Sequence, residues 1–76
     1  MWEQITTLSE LDTLKAGTLI SKDDPAEDTT AVVYRVLKTT DENISIQEDA
    51  NSSANDSMEF KIDKLFSEGW WMLKNN

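Results

Sequence analysis

The chain contains no cysteine and no histidine. The first absence removes disulfide staples and thiolate chemistry; the second removes the side chain that most often serves as general base or transition-metal ligand. Together they argue against zinc, copper, haem and iron–sulfur sites, and no metal or other cofactor is expected. Glycine occurs only at Gly17 and Gly69, too sparsely for a phosphate-cradling loop, and proline only at Pro25. Ser, Thr, Lys and Tyr34 remain as nucleophiles, none with a histidine beside it. A chain of 76 residues also leaves little room to bury a substrate, so no catalytic residue is assigned and the expectation is a protein that is not an enzyme.

Long apolar runs are missing as well. The longest, residues 31–34 and 70–73, fall far below the roughly 20 residues of a membrane-spanning helix. The opening Met1-Trp2-Glu3-Gln4 has neither a basic segment nor an apolar one after it, so a cytoplasmic location in a bacterium or phage is expected. Basic residues are few: 7 Lys and Arg stand against 15 Asp and Glu, for a formal charge of −8. With no basic patch to displace counterions, binding to nucleic-acid phosphate or to an anionic membrane is disfavoured.

The acidity is concentrated. Asp23, Asp24, Glu27 and Asp28 lie in one polar stretch, and Asp41, Glu42, Glu48, Asp49 and Asp56 lie in residues 41–57. Residues 23–28 and 48–57 read as acidic loops of a single domain spanning residues 1–76. Asp49, Asn51 and Ser53 match the first three ligand positions of a calcium loop. The match then fails, with Ala54 where a glycine is required and Glu59 one place short of the closing carboxylate. A solvated loop is the expected reading of that stretch.

The periodicities are mostly those of strands. Residues 18–21, 29–38, 44–47, 58–62 and 70–73 predict short strands, with Val32, Tyr34 and Val36 on one face of the second and Val33, Arg35 and Leu37 on the other. Residues 7–14 predict a short helix with Thr7 and Glu10 as a capping box, Leu8, Leu11 and Leu14 on one face, and Gly17 beyond its end. Residues 63–69 predict a single helical turn capped by Asp63 and closed by Gly69. The fold class expected is mainly β with one short N-terminal helix: a small, strongly bent antiparallel sheet or partly closed barrel of about five strands.

The succession of Gly17-Thr18-Leu19-Ile20, Tyr34-Arg35-Val36, Ile44-Ser45-Ile46, Phe60-Lys61-Ile62 and a late Trp70-Trp71 resembles that of SH3-like small barrels, over most of residues 17–74. The resemblance implies a fold. No cluster matches the aromatic peptide groove of eukaryotic SH3 domains, so it implies no binding residues.

The richest signal is the tandem Trp70-Trp71. Adjacent strand residues point to opposite faces, so one indole can fill the core while the other lies outside, where a large aromatic marks a contact surface. The residues assigned to partner binding are Trp71, with Leu73 and Trp2 beside it. The expected function is a small interaction module acting by self-association or by docking to a protein partner. A second class is an acidic nucleic-acid mimic that inhibits a DNA-binding protein through Asp23, Asp24, Glu27, Asp28, Glu48 and Asp49. Arg35, the one arginine, is expected in a cross-strand ion pair, with Glu59 as the candidate partner, or stacked on an indole.

Overall fold

The computed structural model describes residues 1–49 and 57–74. The elements are β1 (Trp2–Gln4), α1 (Leu8–Asp12), β2 (Leu19–Ser21), β3 (Val33–Thr39), β4 (Asn43–Glu48), β5 (Met58–Lys61), α2 (Ile62–Ser67) and β6 (Trp71–Leu73). The protein is mainly β. Its strands form one antiparallel sheet in the order β1-β6-β2-β3-β4-β5, with β1 and β5 as free edges, so the sheet is not closed into a barrel.

Among the described residues six strands form where about five were expected, because Trp2–Gln4 pairs with Trp71–Leu73. Three polar and aromatic residues carry no strand pattern of their own, and only the distant partner makes them one. The chain continues the pairing at both sides: Lys74 N–H donates to the Met1 carbonyl and Ile5 N–H to the Trp70 carbonyl, each at 2.9 Å.

Directly opposed residues of antiparallel strands share a face, so the register separates two sides. On one side Met72, Ile20 and Tyr34 align, then Val36 with Ile46, then Ile44 with Phe60. These pack with Leu11 of α1, Ile62 and Leu65 of α2, Ile5 and Trp70 into one core cluster. The expected alternation in β3 holds for Tyr34, Val36, Val33 and Arg35. Leu37, expected on the face of Val33 and Arg35, is exposed, and a bulge between Val36 and Lys38 then shifts the register.

α1 covers five residues, fewer than residues 7–14. Leu11 is fully buried and Leu14 half-buried, but Leu8 is exposed. Steps of three residues drift by about 60° around a helix, so a run spaced only by threes cannot keep all its members on one face. Glu10 does return to the helix start: its carboxylate accepts from Thr7 N–H and Thr6 N–H, each at 3.2 Å. The helix ends at a Thr13 cap, and Gly17, φ 94°, serves the turn into β2. In α2 the cap position is Lys61 and Asp63 sits in the first turn, which corrects the expected cap. Gly69, φ 74°, follows the C-cap Glu68, and a Cβ there would meet Gln4 Nε2 at 3.1 Å. The left-handed backbone is what favours glycine there, since the exposed Gln4 side chain could move aside.

Backbone and hydroxyl hydrogen bonds at the start of α1, Thr6 N–H foremost, hold the Glu10 carboxyl below its ordinary range. A depressed value makes this contribution to stability present above the unfolded value and lost as pH falls through the folded one. Urea midpoints measured from pH 7 to pH 3 should therefore fall less steeply for Glu10→Gln, which keeps an acceptor but cannot be protonated. Parallel acid limbs for the two proteins would remove Glu10 from the acid response.

Candidate interaction surface

The tandem tryptophans divide as strand geometry requires. Trp70, just ahead of β6, is 3% exposed and turned into the core. Its ring lies 5.5 Å from that of Tyr34 and 6.1 Å from that of Phe60, both tilted, and its indole N–H donates to Glu68 Oε1 at 3.2 Å. Trp71 stands on the opposite side of the sheet and is half-buried.

That outer side is built in two rows across the strands. Gln4, Trp71, Ser21 and Val33 are successively opposed, and Asp49 continues the row by donating its N–H to the Val33 carbonyl at 2.9 Å. In the second row Trp2 opposes Leu73, and Leu19, Arg35 and Gln47 are successively opposed. Leu19 and Leu73 line one shallow groove of about 400 Å³ with residues 15–18, which joins the two halves of this row. Trp2, Trp71, Leu73, Leu19, Val33 and Arg35 are all half-buried. The three residues assigned to partner binding thus share one face, and the structure adds Leu19 and Val33 to them. Both had strand character in the sequence, but which apolar neighbours join the tryptophans depends on pairing register.

Two side chains on this face depart from a solvated pattern. Ser21 is fully buried, its hydroxyl donating to the Val32 carbonyl at 2.8 Å, and Gln47 of β4 is buried. Arg35 stands opposite Leu19 and Gln47; Glu59 lies on β5, beyond β4, opposite Ser45. The expected Arg35–Glu59 pair is therefore ruled out by strand order.

The acidic residues are assembled by the same topology. The loop carrying Asp23, Asp24, Glu27 and Asp28 joins Ser21 to Val33, while Glu48 and Asp49 stand opposite Tyr34 and Val33. Glu48 and Asp49 thus stand at the same end of the sheet as the 23–28 loop, where Glu68 also reaches Lys22 at 3.7 Å. Asp41 and Glu42 lie in the β3–β4 turn at the other end. Within the 23–28 loop, Asp24 Oδ1 accepts from Ala26 N–H at 3.0 Å, and Asp28 Oδ1 accepts from Thr30 N–H at 2.9 Å and Thr30 Oγ1 at 2.6 Å. The Thr30 hydroxyl above all, then its N–H, holds the Asp28 carboxyl below the usual range. At the opposite end Lys74 Nζ lies 3.0 Å from Glu3 and 3.9 Å from Glu10. The Glu3 hydrogen bond and charge, reinforced by Glu10, raise the Lys74 ammonium above its ordinary value.

Of the expected 48–57 loop, residues 50–56 lie outside the described residues, as does most of the calcium-like stretch. Among the described residues no group of three carboxylates is placed to hold a metal ion, and no helix is long and apolar enough to cross a membrane. No family model matches the chain, and no curated protein or solved structure is significantly similar to it.

Proposed function

We propose that the protein is a small, non-enzymatic interaction module that docks a protein partner on the outer face of its sheet, through Trp71, Leu73 and Trp2. One observation carries the reading. Of two adjacent indoles, Trp70 completes the core with Tyr34 and Phe60, while Trp71 leaves part of its ring in solvent beside Leu73 and Trp2. Large aromatics half-covered on a strand surface are the residues from which interface hot spots are made.

Trp71→Ala should weaken association at least about thirtyfold, the scale of a hot-spot truncation, while moving the melting temperature little. The measurement is capture from the native host's lysate by wild-type and variant chains in parallel, with sedimentation of both. A shared set of captured proteins and unchanged sedimentation would remove Trp71 from the interface. A wild-type dimer that Trp71→Ala converts to monomer would make the partner a second copy.

The acidic end supports a second reading, the nucleic-acid mimic. Glu48 and Asp49 at the end of β4 stand at the same end of the sheet as the 23–28 loop, which is braced by its own hydrogen bonds. That reading requires binding to a DNA-handling protein that collapses with moderate salt; binding through the aromatic face resists it.

A further inference from the structure

At the end of the sheet that carries the loop between β2 and β3, Ala31, Val32, Val33, Glu48 and Asp49 line a groove of about 370 Å³. It wraps from the outer face, with Val33 and Asp49, to the side of Glu48, which is opposed to Tyr34. Its apolar side is open, with Val32 43% exposed. Its rim carries two carboxylates. Through Val33 and Ser21 it adjoins the row that holds Trp71.

Building on the reading of this face as a protein-docking surface, we propose that the groove receives a lysine or arginine side chain from the docked partner segment. The aliphatic stem would lie along Ala31, Val32 and Val33, and the cationic head would meet Glu48 and Asp49. Long basic side chains divide in this way, stem on apolar surface and charge toward water or a counter-charge. Charge complementarity selects the occupant. A purely apolar side chain would match the floor but strip water from two carboxylates without replacing it. An acidic or phosphorylated segment would meet like charge from the groove and from the adjoining 23–28 loop. A second copy brings another chain of formal charge −8, which opposes self-pairing. The partner is therefore a basic, apolar segment of a different protein.

The test uses the full chain and two synthetic ten-residue peptides, one alternating leucine with lysine and one alternating leucine with serine. Binding is followed by amide chemical shifts and calorimetry at low and moderate salt. The lysine peptide should bind more tightly, shifting the amides of residues 31–33, 48 and 49. The double variant Glu48→Gln/Asp49→Asn should weaken it about tenfold and flatten its salt dependence, since the charge pairs are removed while the apolar floor stays. Trp71→Ala should weaken both peptides. Equal affinity of the two peptides, no binding of the lysine peptide, or shifts confined to the 23–28 loop would each overturn the groove assignment. If Trp71→Ala still weakens binding in those cases, the docking face stands without the groove. If the double variant acts and Trp71→Ala does not, the docking face itself is wrong.

Discussion

Trp70→Ala should leave the chain without a cooperative unfolding transition at 25 °C. The indole is 3% exposed and in ring contact with both Tyr34 and Phe60, so it links β3 and β5 across the core. Truncating a buried tryptophan costs about 3–5 kcal/mol. A domain of this size has a total stability on the order of 4–11 kcal/mol, and a short chain lies toward the lower part of that range. The loss also removes the indole N–H that donates to Glu68. Thermal and urea unfolding followed by near- and far-ultraviolet circular dichroism would show it: the variant should lack a sigmoidal transition, whereas Trp71→Ala keeps one. A two-state transition within a few degrees of wild type would mean that Trp70 is not a core residue.

Leu11→Ala should lower the melting temperature by about 10 °C or more and release the N-terminal segment before the rest of the fold. α1 has five residues, far fewer than an isolated helix needs to persist in water, so docking must hold it. Leu11 is its one buried side chain. Large-to-small truncation at such a site costs about 2–5 kcal/mol, and each kcal/mol moves a domain this small by about 4–8 °C. Once α1 lifts, Glu10 no longer braces Thr6, Thr7 and Lys74. Native-state hydrogen exchange should then show the amides of β1 and α1 opening at lower free energy than those of β3 and β4. A uniform loss of protection across the sheet would show that α1 belongs to the global unfolding unit.

Much of this was legible in the chain. Residues 33–36 alternate clearly enough to assign Tyr34 and Val36 to one face and Val33 and Arg35 to the other. The Thr7–Glu10 spacing marked the start of α1, and Gly69 marked the end of α2. The failures have physical causes. β1 has no intrinsic strand signal because pairing with a strand some 70 residues away creates it. Leu8 was lost to the angular drift of three-residue spacing. The proposed partner of Arg35 failed because strand order inserts β4 between β3 and β5.

By itself the sequence determined the class of the fold, the concentration of negative charge in two stretches, and the rule that two adjacent indoles in a strand cannot both enter one core. These follow from residue type and local spacing alone. Only the tertiary structure decided that Trp70 is the core indole, that Trp2 and Leu73 join Trp71 on the outer face, and that Glu48 and Asp49 stand at the same end of the sheet as the 23–28 loop. Each of those facts depends on register between strands far apart in the chain. A one-residue shift of register would exchange the two faces, and no local pattern can fix it.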